Sequence, residues 1–390
     1  MPGSSAARTT DVVVVGGGVI GLAIAWQAAL RGLTVTVLDP APGSGASHAA
    51  AGMLAPVTEV HYGEERLLRL NLASAQRYPT FAAELTEATG RDVGYRQTGT
   101  LAVATDADDR AVLADLHRFQ LSLGLAVELL TSRDARRLEP MLAPGIRSGL
   151  LVAGDHQVDN RLLAAALLAA TVAVGVDVRT DRVAGILTTA ERATGIRLGN
   201  GDTLAAGTVV LAAGCWSPQV AGVPTDVIPP TRPVKGQIVR LRGPADFLGR
   251  NVRAVVGGTH LYLVPRADGE IVIGATTEEQ GYDVTVRAGG VYELLRDAHT
   301  LVPGIAELEL TETYAGLRPG SPDNAPMIGR TALAGLVAAT GHYRNGILLT
   351  PATADAVADL LATGVEPEVI RPFSPQRFAR ERVWSMRVTT

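Results

Sequence analysis

The chain has little of several features that define whole classes of protein. It holds a single cysteine, Cys215, among 390 residues. An intramolecular disulfide framework and a multi-cysteine zinc site are therefore excluded. One cysteine fits a protein of the reducing cytoplasm, which is the location we expect. Aromatic residues make up only 4% of the chain, so aliphatic side chains must build the core.

Strong charge and long apolar runs are also missing. Thirty-five Lys and Arg stand against 39 Asp and Glu, a net charge of −4, and the basic residues form no long run. This composition therefore argues against a nucleic-acid partner that is bound through its phosphates. The apolar run Val12–Ala25 is broken by glycines, and Leu162–Val176 falls short of the roughly 18 residues of a spanning helix. We expect no membrane anchor, no signal segment in the polar residues 1–10, and no metal site.

What is abundant is glycine, with 43 residues, and 47% of the chain is hydrophobic. This content suits a globular protein, and the length suggests about two or three compact units. Many glycines stand in short clusters between apolar segments. Such clusters let a backbone approach a bound ligand closely.

The N-terminal region predicts a strand, a glycine turn, a helix and a second strand. Asp11–Val15 and Thr34–Leu38 are rich in β-branched residues, and Leu22–Arg31 between them has helical character. Strands of this kind are typical of a parallel sheet that is covered on both faces. The unit spans about 30 residues, the usual length of a βαβ motif.

The glycine turn carries the dinucleotide-binding pattern G-x-G-x-x-G at Gly16, Gly18 and Gly21. In this pattern the glycines allow a tight turn, close approach to a pyrophosphate and close helix–strand packing. Asp39 ends the second strand, where a carboxylate can accept the ribose hydroxyls. The alternative is an ordinary glycine-rich turn with a surface aspartate. The pattern alone does not separate NAD from FAD.

Two remote segments favour FAD. Val209–Ala213 is a second buried strand that ends in a glycine, and Gly341–Leu348 forms a glycine-rich turn near the C-terminus. An extended flavin cofactor draws contacts from distant parts of a chain, whereas a nicotinamide enzyme usually completes its site within one compact domain. Between the α/β ends of the chain, alternating strands predict an antiparallel insertion.

Together these motifs resemble the D-amino-acid oxidase family, and most of all its glycine-oxidising branch, which serves thiamine biosynthesis. The resemblance covers roughly residues 11–364. The segments that carry it, besides the N-terminal glycine pattern, are Ser47–Met53, Val209–Gly214 with Trp216, Gly316–Pro319 and Gly341–Leu348.

The resemblance implies an α/β fold with a discontinuous, Rossmann-like FAD-binding domain around a parallel sheet and a substrate domain rich in antiparallel sheet. The expected FAD-binding domain comprises residues 9–80, 150–222 and 325–366. The expected substrate domain comprises residues 81–149 and 223–324, and a tail follows at 367–390.

The resemblance also implies non-covalent FAD, because no cysteine lies near the position where a related branch attaches its flavin. Asp39 departs from the commoner glutamate and keeps the carboxylate. The expected cofactor-binding residues are Gly16, Gly18, Val19, Ile20, Gly21, Asp39, Pro40, Ser47, His48, Gly52, Met53, Leu54, Val183, Gly214, His342, Tyr343, Arg344, Asn345, Gly346, Ile347 and Leu348.

Three residues match positions that bind and orient substrate in the family. Arg318 matches the arginine that grips the substrate carboxylate, and its planar guanidinium suits a bidentate contact. Tyr262 matches a tyrosine that meets the same carboxylate, and Arg344 a second position near substrate and flavin. Each has a structural alternative: an interstrand ion pair for Arg318, strand packing for Tyr262, and a surface cation for Arg344. Lys235–Gln237 is a weaker candidate contact.

The predicted reaction is FAD-dependent oxidative deamination of glycine, and of sarcosine or small D-amino acids, with dioxygen reduced to hydrogen peroxide. The partners are then a small amino acid and dioxygen, with no nucleic acid or membrane, and the chain can form a homo-oligomer. No residue in the motifs is an obvious general base. Two alternatives stay open, a D-amino-acid dehydrogenase that reduces a quinone and a flavin-binding subunit without catalysis.

Overall fold

The computed structural model describes residues 10–378. Its strands, in chain order, are β1 (Thr10–Val15), β2 (Val35–Leu38), β3 (Met53–Leu54), β4 (Thr100–Ala104), β5 (Glu128–Thr131), β6 (Ser148–Val152), β7 (His156–Gln157), β8 (Asp177–Arg179), β9 (Val183–Thr189), β10 (Arg192–Leu198), β11 (Thr203–Leu211), β12 (Arg232–Arg242), β13 (Asn251–Val256), β14 (Thr259–Pro265), β15 (Glu270–Gly274), β16 (Glu309–Gly320), β17 (Met327–Arg330) and β18 (Leu336–Thr340).

The helices are α1 (Val19–Leu30), α2 (Ala46–Ala49), α3 (Glu65–Thr89), α4 (Ala107–Ser122), α5 (Ser132–Leu138), α6 (Asn160–Ala173), α7 (Ala288–Leu301) and α8 (Thr350–Thr363). Short 3-10 helices lie at Gly214–Gln219, Pro303–Glu307, Glu368–Phe373 and Pro375–Phe378. Within residues 10–378, no helix combines the length and the apolar character needed to cross a membrane.

The first sheet has the strand order β17-β18-β11-β1-β2-β8. Its pairs are parallel except for β17 with β18, and the β9–β10 hairpin extends from β11. Successive side chains of β1 pack into two different cores, one on each face of the sheet. Val12 and Val14 pack with α1, α6 and α8 on one face, whereas Val13 and Val15 pack with β9 and β10 on the other. Burial on both faces explains why β1 is a continuous apolar run.

The second sheet has the order β16-β12-β15-β14-β13-β4-β6-β5 and is antiparallel except for β13 with β4. Its two faces differ in what covers them. Leu261 and Leu263 of β14 point into a core closed by α5 and α7, whereas Tyr262 and Val264 lie on the opposite face with Ala51. That opposite face is turned towards the first sheet, so β14 presents alternate residues to the space between the sheets.

The two sheets confirm the predicted fold class, a parallel α/β part joined to a part rich in antiparallel sheet. The expected boundaries cut through continuous elements, since 80/81 falls inside α3 and 149/150 inside β6. In the expected tail, Ile370 and Phe373 are buried in the core of the first sheet, and residues 379–390 lie outside the described residues. The division into domains stays a prediction.

Candidate active and cofactor-binding site

A large cavity of about 600 Å³ lies between the two sheets, and we call it the main cavity. The first sheet contributes the turn before α1, the end of β2 and the Gly214 turn after β11. The second sheet contributes residues of β12, β14 and β16. Segments far apart in the chain thus converge on one space, as the remote motifs predicted.

The glycine pattern forms the turn that opens α1. A methyl group on Gly21 would lie 1.9 Å from the carbonyl oxygen of Gly16, and one on Gly16 would lie 2.4 Å from that of Ala212. Neither position has room for a side chain. The Ser47 hydroxyl accepts a hydrogen bond from the Val19 N–H at 3.0 Å. The N-terminus of α1, where free N–H groups attract anions, therefore forms part of the cavity wall.

Asp39 lies at the end of β2 and lines the main cavity. One carboxylate oxygen accepts the Gly17 N–H at 2.7 Å, and the other accepts the Ala41 N–H at 2.8 Å. The carboxylate thus also holds the glycine turn, a role that the sequence did not show. Each oxygen keeps a further lone pair for a ligand hydroxyl.

Most of the expected cofactor-binding residues line the main cavity: Gly16, Gly18, Val19, Ile20, Asp39, Pro40, Ser47, Gly52, Met53, Val183, Gly214, His342, Tyr343, Arg344, Gly346 and Ile347. The others lie elsewhere. Gly21 packs on Gly16, Leu54 is buried, and His48 is exposed beside Tyr314. Asn345 lines a neighbouring space, and the Leu348 carbonyl accepts the Ser74 hydroxyl inside the core.

Arg318 lies in β16 and lines the main cavity. Its Nη1 donates to the Thr276 carbonyl at 3.1 Å and to the Lys235 carbonyl at 3.4 Å. Both acceptors are neutral, so these contacts orient the guanidinium without cancelling its charge. The guanidinium lies directly over Gly236, where a Cβ atom would be 2.4 to 2.6 Å from its atoms. Only glycine at position 236 leaves room for this placement.

Tyr262 also lines the main cavity and rests on a glycine in the same way. A Cβ atom on Gly274, its cross-strand neighbour in β15, would lie 2.3 Å from the Tyr262 hydroxyl. Burial raises the pKa of Tyr262 to about 12, although the charge of Arg318 opposes the rise. Near neutral pH the phenol therefore keeps its proton and can donate a hydrogen bond.

The remaining candidates, Arg344 and Lys235, lie at different depths. Arg344 is exposed, and its guanidinium lies 5.1 Å from the Tyr343 ring centre. His260, two residues before Tyr262, also lines the main cavity, and partial desolvation, followed by the charge of Arg253, lowers its pKa. Lys235 is fully buried, and its Nζ pairs with Asp283 at 3.2 Å instead of reaching the cavity.

Glu59 and Arg253 are among the residues of the cavity wall that the sequence did not predict. Glu59 and Arg253 form an ion pair there, and Arg253 is the cross-strand neighbour of Tyr262. Nothing in the sequence could pair residues so far apart. The sequence does contain an indication that Gly274 is special, because this glycine ends the β-branched run of β15 without the residues typical of a turn.

A buried carboxylate holds the segment that carries Glu59. Asp155 is fully buried and accepts the Val57 N–H at 3.1 Å, the Thr58 N–H at 2.6 Å and the Thr58 hydroxyl at 2.7 Å. Burial raises the pKa of Asp155 to about 6, and these hydrogen bonds offset part of the rise. Asp155 is thus a structural anchor for one side of the cavity.

Two further groups on the wall are neutral. Burial lowers the pKa of His342 to about 3, and its Nε2 lies 3.1 Å from the Thr353 hydroxyl. Burial raises the pKa of the Cys215 thiol to about 12, so this cysteine is a weak nucleophile near neutral pH. Within residues 10–378, no group of three potential metal ligands was found.

The cavity fits FAD in size and in chemistry. Its volume of about 600 Å³ lies well within the usual range for cofactor sites. Its wall offers a helix N-terminus for phosphates and the Asp39 carboxylate for ribose hydroxyls. Small apolar residues, Ala49, Ala50 and Ala51, line another part of the wall and leave space for a flat ring.

Comparison with known proteins agrees with this geometry. The model of the FAD dependent oxidoreductase family, DAO, matches residues 11–360. The chain is 37% identical over 379 residues to glycine oxidase of Geobacillus kaustophilus, a match that covers 94% of this chain and 97% of that protein. It is 35% identical to the bifunctional protein ThiO/ThiG of Trichormus variabilis, covering 96% of this chain and 56% of that protein. The chain thus spans little more than half of this longer relative.

A solved structure shows the same architecture. The crystal structure of glycine oxidase from Geobacillus kaustophilus superposes with a TM-score of 0.88 at 37% identity, and the match covers 95% of this chain and 99% of that one.

Proposed function

Since this chain belongs to the DAO family of FAD-dependent oxidoreductases, we propose that it is an enzyme that oxidises glycine to the imino acid. The imino acid then hydrolyses to glyoxylate and ammonia, and dioxygen is reduced to hydrogen peroxide. Support comes from the full-length similarity to a glycine oxidase. Sarcosine and small D-amino acids are further candidate substrates. The similarity to ThiO/ThiG supports a role in making the thiazole of thiamine.

The observation that carries the proposal is the placement of Arg318. Its guanidinium points into the main cavity, its hydrogen-bond acceptors are neutral carbonyls, and Gly236 keeps the space beneath it free. A carboxylate that enters this partly buried space gains a planar, permanently charged partner. An α-amino acid is the simplest substrate that supplies such a carboxylate beside an amine.

FAD, when bound, supplies the two-electron oxidising power for the amino acid and passes the electrons to dioxygen. We propose that Asp39 holds its ribose, that the N-terminus of α1 holds its phosphates, and that the Ala49–Ala51 and His342–Ile347 segments line its ring. The high pKa of the Cys215 thiol favours non-covalent binding.

The chain's own residues then bind and orient the amino acid. Arg318 takes the carboxylate in a bidentate contact, and the protonated Tyr262 hydroxyl donates a hydrogen bond to the same group. Fixing the carboxylate at two points sets the direction of the Cα–H bond, which is the main catalytic gain from such a site. Arg344 is placed to receive the carboxylate nearer the surface. We assign no general base.

The electron acceptor and the surroundings of the enzyme are also proposals. We propose dioxygen as the acceptor and the cytoplasm as the location, with a homo-oligomer as the assembly. The glycine oxidase relative favours dioxygen. A D-amino-acid dehydrogenase or a non-catalytic flavin protein would give different results in the test below.

The test mixes purified holoenzyme anaerobically with glycine, sarcosine and small D-amino acids, follows loss of the flavin absorbance, and then admits air. We expect glycine to bleach the flavin, and air to restore the colour with peroxide formed. Recovery only with a quinone would support a dehydrogenase, and no bleaching at all would support a non-catalytic protein. A protein without releasable FAD would overturn the cofactor assignment.

The residue-level test replaces Arg318 by alanine. Removing one partner of a buried ion pair costs roughly 3–5 kcal/mol, so kcat/KM for glycine should fall by about 10²- to 10³-fold or more. An amine without a carboxylate should lose far less. Arg147→Ala, at an exposed position away from the cavity, is the matched control and should change neither. If glycine and the amine without a carboxylate lost equal activity, Arg318 would have a structural role, and Arg344 would become the candidate for binding the carboxylate.

A further inference from the structure

Arg266, the residue after β14, is a buried cation that the proposed reaction does not use. It is only 4% exposed, and its guanidinium donates four hydrogen bonds, all of them to neutral oxygens. These oxygens belong to Gln157, Val158, Ala51 and Asn160. The Asp159 carboxylate lies 3.5 Å from Nε, which has no hydrogen-bond partner among the described residues. Since burying a charge among neutral acceptors costs free energy, a gain in stability alone does not account for Arg266.

Two of these contacts hold residues 47–52, a segment of the main cavity wall. Nη2 of Arg266 donates to the Ala51 carbonyl at 2.8 Å and to Asn160 Oδ1 at 3.1 Å. Asn160 Nδ2 in turn donates to two more carbonyls of the segment at 2.8 Å and 2.9 Å, those of Ser47 and His48. Arg266 itself does not line the main cavity, so it holds this wall from behind.

The contact with the Ala51 carbonyl fixes the orientation of one peptide group. The peptide between Ala51 and Gly52 is trans, so its carbonyl and its N–H point in opposite directions. The carbonyl points to Arg266 behind the wall, and the Gly52 N–H therefore points away from Arg266. Gly52 lines the main cavity, and its N–H has no hydrogen-bond partner among residues 10–378. This free donor is thus directed towards the cavity.

The surroundings of Gly52 keep this arrangement in place. Its φ is +75°, and a Cβ atom would lie 1.9 Å from the Val158 carbonyl oxygen. That oxygen accepts Nη1 of Arg266 at 3.0 Å, and the Val158 N–H donates to the Gly52 carbonyl at 2.9 Å. Both peptides that flank Gly52 are therefore held through their carbonyls. Since a buried N–H is normally paired, the unpaired N–H of the buried Gly52 indicates an acceptor on the bound cofactor.

We propose that Arg266 is a positioning residue for the cofactor, which orients the Ala51–Gly52 peptide so that the Gly52 N–H donates to an acceptor atom of the flavin ring. The nitrogen and oxygen acceptors of this ring gain electron density when the flavin is reduced. A donor at that edge therefore stabilises the reduced form more than the oxidised form. Arg266 acts through the peptide and not by contact with FAD or substrate. The inference rests on the FAD-binding part of the proposed function.

The test uses Arg266→Lys, which keeps a positive charge and loses the planar fork that reaches Ala51 and Asn160 together. The midpoint potential and the flavin absorbance spectrum are measured on the purified holoenzyme without substrate. We expect the equilibrium constant for two-electron reduction to fall about tenfold, which corresponds to about 30 mV, with the flavin bands displaced. The variant apoprotein should bind added FAD about tenfold more weakly.

Arg96→Lys is the matched control. Arg96 donates to the Pro265 carbonyl at 3.2 Å, beside Arg266 in the chain, and it does not line the main cavity. Loss of this contact should leave the midpoint potential, the spectrum and the FAD affinity at their native values. A native potential and spectrum in Arg266→Lys would overturn the proposal. Equal shifts in the two variants would also overturn it, since both arginines would then be merely structural.

A second measurement uses the native protein, so it does not depend on how well a variant folds. Hydrogen exchange of single amides is compared between the apoprotein and the holoenzyme. FAD should slow the exchange of the Gly52 N–H about tenfold or more. The Ala49 N–H already donates to the Gly45 carbonyl at 3.1 Å, so its exchange should change little. Equal exchange of the Gly52 N–H in both forms would overturn the proposal.

These measurements need no amino acid, so they separate the role of Arg266 from the proposed reaction. In a protein that binds FAD and does not oxidise glycine, the proposed reaction is overturned, and the potential and the exchange rates still decide the role of Arg266. A protein that binds no FAD overturns both proposals.

Discussion

Gly236→Ala is the substitution whose effect follows most directly from the structure. The added methyl carbon would lie 2.4 Å, 2.5 Å and 2.6 Å from three atoms of the Arg318 guanidinium, whereas ordinary contact begins at 3.4 Å. The guanidinium must therefore move by about 1 Å. Since it then leaves its hydrogen bond to the Thr276 carbonyl at 3.1 Å, both its position and its orientation change.

A displacement of about 1 Å in a positioning contact can cost about 10²-fold in rate. We therefore expect kcat/KM for glycine to fall by about 10²-fold in Gly236→Ala, close to the loss expected for Arg318→Ala. The FAD content and the flavin spectrum should stay near those of the native protein, because the change concerns the substrate contact. The assay is peroxide formation against glycine concentration, together with the flavin absorbance of the purified variant.

Two controls separate this effect from a general loss of stability. Gly145→Ala places a methyl group where no atom lies within 4 Å, so it should leave the activity unchanged. In the Arg318→Ala background, Gly236→Ala should cost little further activity, because the group it displaces is already absent. A loss below about threefold in the single variant, or full additivity in the double variant, would refute the reasoning.

Three further predictions concern other parts of the site. Asp39→Ala should weaken FAD binding by about 1.5–3 kcal/mol, which is more than it should lower the free energy of unfolding in urea. An unchanged FAD affinity would mean that Asp39 only holds the glycine turn. Arg318→Lys should be only partly active in the peroxide assay, because lysine keeps the charge and loses the planar fork; full activity would contradict a bidentate contact. Burial raises the pKa of Asp155 to about 6, so the folded protein favours the protonated carboxyl. The contribution of Asp155 to the unfolding free energy is fully present below the unfolded pKa of about 3.9. It falls by about 3 kcal/mol as the pH rises from there through about 6. Urea unfolding of Asp155→Asn should lack this fall, and parallel pH curves for variant and native protein would contradict it.

Local patterns in the sequence were enough to predict the first βαβ unit. The β-branched run of β1, the glycines of the turn and Asp39 after β2 each depend on neighbours close in the chain. The structure adds reasons that the pattern leaves open. Gly21 is needed because its Cβ would meet the Gly16 carbonyl, and Asp39 holds the turn that it follows.

Sequence neighbourhood was a weaker guide to which residues face the cavity. Ile347 lines it, whereas Leu348 next to it lies in the core. Asn345 belongs to the same motif and lines a smaller neighbouring cavity instead. Adjacent residues of a turn point in different directions, so a motif identifies the segment near a ligand without showing which of its side chains reach it.

The sequence by itself determined the fold class, the FAD cofactor and the segments that meet at the site, because each depends on short, ordered patterns. Only the tertiary structure decided how the substrate residues are held. Gly236 lies under Arg318, Gly274 lies under Tyr262, and Glu59 meets Arg253. Strand register and the packing of one sheet against the other bring these pairs together, and neither can be predicted from the spacing of residues along the chain.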